Sequence, residues 1–383
     1  MEILLNGLLA GLSLVVPKND GLVLAGTLYG RGFSGNPRAI YLYMLRQPTI
    51  RFHTVLWITG DPQIEKTLIR HGLPYVRLYS LAGFWAIVRA RLLVTGYNIR
   101  DVSYFQFLPG RFTKIQTWHG LPLKGGIPGI RDRFPRPLGY WLFSLERRSN
   151  HLCCTTSEVT KEVEEAMDGF YPRLTITGYP RNDMFFRPEQ ALIDYKSVLE
   201  LGQYSRIILY CPTFRDGSDQ TRPFSEHFLA VLNTFFADTN QILLVTRHHL
   251  DSIQGVSDQL SHIKMLDNQV QDIQDLLVDI DLMITDYSSI VLDYILTGKP
   301  AVFFPYDDNL YHTDRGFSID YFADLPGPFA FTEEQLLELL QTVDDWSNTV
   351  EYRYKYERLV DRMHSYRDGD SCQRLCQVME SLH

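Results

Sequence analysis

The sequence predicts an α/β protein with two Rossmann-like, doubly wound domains that face each other across a cleft, followed by a helical C-terminal segment. The chain has 383 residues, which is too long for one ordinary hydrophobic core. Short apolar strands alternate with short helices in two successive runs, a pattern typical of parallel sheets covered on both faces. Polar motifs follow several strands of each run. We place the domains at residues 1–172 and 173–345, and helices packing across both at 346–383.

Composition and charge narrow the class of protein. The formal net charge of −8 argues against nucleic acid as the main partner. The five cysteines show neither zinc-site spacing nor an even disulfide framework, which favours a reducing cytosol. No run approaches the roughly 20 apolar residues of a spanning helix, so any membrane contact is expected to be peripheral.

The N-terminal run begins with a leucine-rich stretch at residues 1–12. This stretch can form a helix that either docks on the protein's own core or lies on a membrane surface. The glycine-rich segment 30–38 opens a further helix, resembles a P-loop only loosely, and is interpreted as a functional loop. In this run, strands are predicted at 22–25, 54–58, 75–78, 92–95, 114–118 and 151–155, and helices at 63–71 and 84–91.

The C-terminal run repeats the alternation after a break at residues 171–183. Its last part, from Glu333 onward, is predicted to be mainly helical. The strands of this run are predicted at 207–211, 242–246, 263–266, 281–284 and 301–304, and helices at 224–236 and 273–278.

The most informative stretch spans residues 281–304 and is predicted to form a strand, a Ser288-Ser289 turn, a helix and a strand. Gly298 stands where a helix C-cap belongs, and Pro300 blocks continuation of the helix. The two hydroxyls and several unpaired N–H groups would then lie at a helix N-terminus, beyond the carboxyl end of a strand. Open α/β sheets bind phosphate there, although serine also caps helices without any ligand.

His119 directly follows the strand predicted at 114–118, and Gly120 after it leaves room for a ligand to approach. A histidine in this position can act as a general base near neutral pH. A structural histidine with satisfied partners is the alternative.

Polar residues also stand at the ends of other predicted strands. Arg247, His248 and His249 end one strand and could hold a diphosphate, but only one of the two histidines can face the cleft if the strand continues. No cluster has metal-ligand spacing, so no metal is expected. The candidate ligand-binding residues at these positions are Arg181, Asn182, Arg215, Asp216, Arg247, His248, Asp286, Ser288 and Ser289.

A basic island interrupts this acidic protein between Arg111 and Arg148. It contains eight basic residues against two acidic ones, and an anionic ligand or a membrane surface is the natural reason for it. A solvated helix with a core-facing aromatic side is the alternative. The candidate acceptor- or membrane-facing residues in the island are Lys124, Arg131, Arg133 and Arg136.

Several of these motifs together resemble the signature blocks of the CDP-glycerol glycerophosphotransferase family, which includes teichoic acid primases and polymerases and related capsule polymerases. Segment 33–38 resembles a further block, with Gly35 where an acidic residue is expected. The blocks occur in family order from about residue 33 to 328. The other matching segments are 117–124, 178–183, 212–216, 285–289 and 314–317.

The resemblance implies a GT-B fold whose C-terminal domain holds the donor nucleotide. It also implies transfer of glycerol phosphate from CDP-glycerol to an acceptor hydroxyl, with release of CMP, at the inner face of the cytoplasmic membrane and without a cofactor. By motif match, His119 is the catalytic base and His249 contacts the donor phosphates. Ser288 and Ser289 hold the diphosphate, with Arg215 as a further contact. His248 precedes His249 and Leu250 follows it, which departs from the family pattern and leaves the choice between the two histidines open.

The acceptor is expected to be a lipid-linked saccharide or a growing polyol-phosphate chain. CDP-ribitol is an alternative donor, and a GT-B glycosyltransferase using a nucleotide sugar is an alternative enzyme. A non-catalytic assembly subunit is a third alternative, against which the presence of both His119 and the Ser288-Ser289 pair argues.

Overall fold

The described part of the chain, in a computed structural model, comprises residues 2–47, 51–104, 111–121, 150–161, 174–213, 223–246, 260–266, 270–306 and 320–382. The chain divides into two compact units, each with its own parallel sheet. Unit 1 contains residues 1–119, 127–186 and 364–383, and unit 2 contains residues 120–126 and 187–363. Residues 174–186 and 364–383 therefore belong with the first sheet, whereas the sequence placed the divisions at 172 and 345.

Seven parallel strands form the sheet of unit 1, in the order β3-β2-β1-β4-β5-β6-β7. The strand order reverses at β1, because β2 pairs on one side of it and β4 on the other. Ligands of open α/β sheets bind at such a switch point, beyond the carboxyl ends of the strands. The strands are β1 Asn19–Gly26, β2 Thr54–Thr59, β3 Tyr75–Arg77, β4 Ala90–Thr95, β5 Thr113–Gln116, β6 Asn150–Thr155 and β7 Leu174–Ile176.

Helices pack on the sheet of unit 1 through apolar faces. Leu9 of the first helix and Ile87 of the fourth are buried in one core cluster, so the leucine-rich N-terminal stretch contributes to the core. Asp61 caps the third helix by accepting bonds from the N–H groups of Gln63 and Ile64. The described helices of unit 1 are α1 Glu2–Val15, α2 Gly35–Arg46, α3 Pro62–Arg70, α4 Leu81–Arg89 and, near the end of the chain, α13 Ser371–Ser381.

Five parallel strands form the sheet of unit 2, in the order β10-β9-β8-β11-β12. The order reverses at β8, so the carboxyl ends of β8 and β11 flank the switch point. These strands are β8 Arg206–Cys211, β9 Gln241–Thr246, β10 Ile263–Leu266, β11 Leu282–Thr285 and β12 Ala301–Phe303. The described α-helices are α5 Tyr195–Val198, α6 Glu226–Asp238, α7 Gln274–Leu277, α8 Val291–Tyr294, α9 Tyr321–Asp324, α10 Glu333–Gln341, α11 Val343–Trp346 and α12 Val350–Met363.

The central strands of the unit 2 sheet are mostly apolar and buried, as is typical of parallel strands that are covered on both faces. Leu209, Leu244 and Ile284 of neighbouring strands in unit 2 are each fully buried. The predicted alternation of parallel strands and helices is confirmed in both units. No described helix has the combination of length and apolar character that crossing a membrane requires.

Candidate active site

His119 lies three residues beyond the end of β5, at the carboxyl edge of the unit 1 sheet. Strand pairing continues one residue past β5, since the Thr117 N–H donates to the Thr95 carbonyl at 2.8 Å. Trp118 then adopts a φ of 58°, a left-handed conformation that costs free energy in a bulky residue. This turn ends the strand and directs the chain into His119.

Asn36 holds this unusual backbone in place. Its side-chain amide donates to the carbonyls of Thr117 at 2.7 Å and Trp118 at 3.1 Å. Asn36 is fully buried in the first turn of α2; its bond to Thr117 is buried and its bond to Trp118 is partly buried. The left-handed turn before His119 is therefore stabilised by a side chain that the N-terminal glycine-rich segment supplies.

The same asparagine also fixes Arg181. Its side-chain oxygen accepts the backbone N–H of Arg181 at 3.1 Å, and the Arg181 guanidinium donates to the carbonyl of His119 at 2.8 Å. Asn36 was not among the predicted site residues, although it lies in segment 33–38, which resembles a family block. An asparagine inside such a block, at the start of a predicted helix, was the signal that could have identified it.

The imidazole of His119 lies against the ring of Tyr97. Their centroids are 4.0 Å apart and their planes differ by 9°, so the rings are stacked. A hydrogen bond to the Gly96 backbone raises the pKa of the imidazole, which identifies the carbonyl as acceptor of a ring N–H.

Two larger effects lower the pKa of His119 below its ordinary 6.5: burial of the imidazole first, and then the positive charge of Arg181. The residue as a whole is exposed to solvent, and this exposure moderates the shift. Because the pKa of His119 is lowered, the imidazole is neutral at pH 7, and one ring nitrogen can accept a proton.

The neighbours of Arg181 in the predicted hinge have structural contacts. Asn182 is buried within the 3-10 helix Pro180–Phe185. The Asp183 carboxylate accepts the backbone N–H groups of Ser371 at 2.8 Å and Cys372 at 2.7 Å, and thereby caps α13. Among the three residues, Arg181 is the one that the structure places directly beside His119.

In unit 2, the predicted ligand residue Asp286 joins the ends of two strands. Its carboxylate accepts the backbone N–H of Thr213 after β8 at 2.7 Å and that of Tyr287 after β11 at 2.5 Å. The side chain is buried, so its carboxylate connects the ends of β8 and β11 inside unit 2. A ligand approaching this edge would meet the half-buried Ser288 and Ser289 before it met Asp286.

The helix after Ser288 and Ser289 is shorter than the sequence predicted. It begins at Val291, changes to the 3-10 helix Ile295–Thr297, and ends at Gly298 with a φ of 73°, which is the predicted left-handed cap. Because few peptide dipoles add up over so short a helix, local N–H and hydroxyl groups would contribute most to holding an anion.

The remaining predicted site residues lie outside the described part of the chain. They belong to the segment after β8, the segment after β9 and the basic island. These residues are Lys124, Arg131, Arg133, Arg136, Arg215, Asp216, Arg247, His248 and His249.

Two parallel α/β units, each with a reversal of strand order in its sheet, are the architecture of the GT-B fold. Residues 8–381 match the family model described as CDP-Glycerol:Poly(glycerophosphate) glycerophosphotransferase, and the chain belongs to that family. The predictions of the family and of the enzyme class are thereby confirmed.

Two curated relatives are similar over much of their length. The teichoic acid glycerol-phosphate transferase of Staphylococcus aureus (strain NCTC 8325 / PS 47) is 26% identical over 381 residues, covering 94% of this chain and 93% of the relative. The teichoic acid glycerol-phosphate primase of Bacillus subtilis (strain 168) is 32% identical over 278 residues, covering 70% of this chain and 68% of the relative.

Solved structures share the fold. A variant of the wall teichoic acid polymerase TagF soaked with CDPG superposes with a TM-score of 0.80 at 22% identity, covering 100% of this chain and 95% of that one. A UDP complex of S. aureus MnaA gives a TM-score of 0.56 at 10% identity, covering 94% of this chain and 96% of that one. The predicted GT-B-like fold is confirmed.

Proposed function

We propose that this enzyme transfers glycerol phosphate from CDP-glycerol to a hydroxyl of a membrane-linked saccharide or polyol-phosphate acceptor, in the synthesis of a teichoic acid or a similar polymer. The observation that carries the proposal is His119, an exposed residue at the carboxyl edge of the unit 1 sheet whose lowered pKa keeps the imidazole neutral. Membership of the glycerophosphotransferase family supports the donor.

In the proposed reaction, His119 accepts the proton of the acceptor hydroxyl. The oxygen attacks the phosphorus that bears glycerol, a new P–O bond forms, and the bond to the CMP oxygen breaks. CMP leaves with the negative charge. Phosphoryl transfers depend mainly on positioning and on stabilisation of this charge. We assign that role to Ser288 and Ser289, together with His249 and Arg215.

Glycerol is preferred to ribitol because glycerol-phosphate enzymes match over a larger share of the chain. The transferase noted above covers 94% of the chain, whereas a poly(ribitol-phosphate) polymerase of Bacillus spizizenii, 26% identical, covers 66% of it. Work at the cytoplasmic face of the membrane would follow from a lipid-linked acceptor, with Lys124, Arg131, Arg133 and Arg136 against anionic headgroups.

The test measures CMP release from CDP-glycerol, CDP-ribitol and a UDP-sugar, with a membrane extract as the acceptor source. We expect release from CDP-glycerol, and its loss in His119→Ala. The matched control is His71→Ala, because His71 follows α3 and precedes β3, at the opposite edge of the same sheet. Turnover with the UDP-sugar alone would replace the proposal with a glycosyltransferase.

A further inference from the structure

The short loop 96–98, between β4 and the 3-10 helix Ile99–Asp101, is held by one buried carboxylate. Asp101 Oδ2 accepts the backbone N–H groups of Gly96 at 3.0 Å, Tyr97 at 2.6 Å and Asn98 at 3.2 Å. Its Oδ1 accepts the N–H of Tyr29 at 2.9 Å. Four donors on a fully buried carboxylate fix the backbone of this loop.

A buried amide holds the same loop by its carbonyl groups. Gln116 donates through Nε2 to the carbonyl of Gly96 at 3.1 Å and to that of Tyr97 at 2.9 Å. Its Oε1 accepts the hydroxyl of Thr95 at 2.7 Å. Gln116 is the last residue of β5, three positions before His119, so the loop and the histidine depend on the same pair of strands.

The loop presents two groups to His119. The Tyr97 ring covers one face of the imidazole at 4.0 Å between centroids, and the Gly96 carbonyl accepts a ring N–H. A carbonyl that accepts one ring N–H fixes the tautomer and leaves the other nitrogen without a proton. A stacked neighbour restricts rotation of the imidazole about its side-chain bonds.

We propose that Tyr97 is a positioning residue for His119, and that Asp101 and Gln116 hold the 96–98 loop so that the imidazole keeps one tautomer and one orientation. The proposal rests on the proposed function in one respect, namely that His119 takes the acceptor proton. The loop sets the geometry of that proton transfer, because small displacements of a base lower the rate by large factors.

The groups that face His119 set the expected pH behaviour. Arg181 contributes a positive charge from the 3-10 helix Pro180–Phe185, and Tyr97 contributes a phenol. Burial, and then the charge of Asp101, raise the pKa of Tyr97, so the phenol is neutral wherever His119 titrates. Arg100 belongs to the 3-10 helix that follows the loop, and its guanidinium lies 5.2 Å from the ring centroid of Tyr29.

The test compares Tyr97→Phe, Tyr97→Leu and Tyr97→Ala with wild type, using CMP release and the ring-nitrogen NMR signals of selectively labelled histidine. The His119 signal is assigned by its absence in His119→Ala. We expect Tyr97→Phe to keep kcat within about twofold, because the stacked ring remains. Tyr97→Leu and Tyr97→Ala should lower kcat roughly 10- to 100-fold with little change in KM for the donor.

The NMR signals report the position of the base without any turnover. In Tyr97→Ala, the pKa of His119 should rise toward 6.5, and the ring-nitrogen shifts should move toward a mixture of tautomers. Tyr79→Ala is the matched control, because Tyr79 is 75% exposed and its ring packs at a tilt of 32° against that of Tyr104, elsewhere in unit 1. It should leave kcat and the His119 signals unchanged.

An unchanged tautomer and pKa in Tyr97→Ala and Tyr97→Leu would overturn the proposal, whatever the activity. A wild-type protein that releases no CMP from CDP-glycerol would overturn the proposed function alone, since the NMR result would still decide whether Tyr97 positions the imidazole. Tyr97→Leu keeps most of the side-chain volume, so a loss of folding in Tyr97→Ala does not remove the test.

Discussion

The guanidinium of Arg181 donates a hydrogen bond of 2.8 Å to the backbone carbonyl of His119, across 62 positions of sequence. A fixed positive charge thus lies beside the proposed base. It makes protonation of the imidazole less favourable, and it is held in place because Asn36 also accepts the Arg181 N–H. The charge and the base are therefore positioned by one connected set of hydrogen bonds.

Changing Arg181 should move the acid limb of the pH–rate profile. In wild type we expect kcat/KM to rise with pH through a pKa below 6.5 and then level off, because the neutral imidazole is the active form. Arg181→Gln removes the positive charge, so the acid limb should move to higher pH. Arg181→Lys keeps the charge and should move it less. The pH dependence of CMP release measures both shifts of the acid limb. Equal profiles for Arg181→Gln and Arg181→Lys would refute the electrostatic role.

Asn36→Ala should lower both stability and turnover. It leaves the buried carbonyl of Thr117 and the partly buried carbonyl of Trp118 without the amide that supports them. We expect a loss of about 2–4 kcal/mol in the free energy of unfolding, measured by urea titration, and a fall in kcat. Asn348→Ala is the control, since Asn348 makes an exposed bond to the Asp344 carbonyl and should cost less than about 1 kcal/mol.

Asp286→Ala and Asp286→Asn should behave differently. Both backbone N–H groups bond to the same carboxylate oxygen, Oδ1, so an asparagine can keep the two contacts through its single oxygen. Alanine loses them and should destabilise unit 2 by about 2–4 kcal/mol. Because Thr213 leads toward Arg215, we also expect a higher KM for the donor in Asp286→Ala. Urea titration and donor kinetics are the measurements, and equal losses in the two variants would contradict this role.

Asp183→Ala should weaken unit 1 through its contact with α13. The carboxylate accepts two backbone N–H groups at the start of that helix, and their loss should cost about 1–3 kcal/mol. Asp368→Ala is the control, because Asp368 forms a partly exposed ion pair with Arg374 nearby and should cost under about 1 kcal/mol. Thermal unfolding of both variants, followed by CMP release, tests whether the helix contact also supports Arg181.

Periodicity and turn residues predicted most of the fold, because strands buried on both faces and the glycine and proline residues that end helices leave local patterns. The cap at Gly298 is an example, because a residue without a side chain can adopt its φ of 73° at no steric cost. β7 was not predicted, because three half-buried residues, Leu174–Ile176, carry too little pattern in a region interpreted as a break between domains.

The site was predictable to the extent that a residue follows a strand. His119 and Ser288 were selected in this way, and their roles stay predictions. Asn36, Asp101 and Gln116 were not selected, because their hydrogen bonds to backbone groups of other segments leave no local pattern in the sequence. Asp286 was predicted to bind a ligand, which stays a prediction, and its carboxylate also connects the ends of β8 and β11.

The contact between Asp183 and Ser371 spans 188 positions, and residues 187–363, which make up most of unit 2, lie between these two residues. At translation rates of about 5–20 residues per second, roughly 10–40 s separate the synthesis of the two partners. The ribosome therefore finishes unit 2 before unit 1 can acquire its last helix. Throughout that interval, a nascent chain has His119 and Arg181 in a unit 1 that still lacks α13. The contact between Asp183 and α13 can form only after α13 has been synthesised.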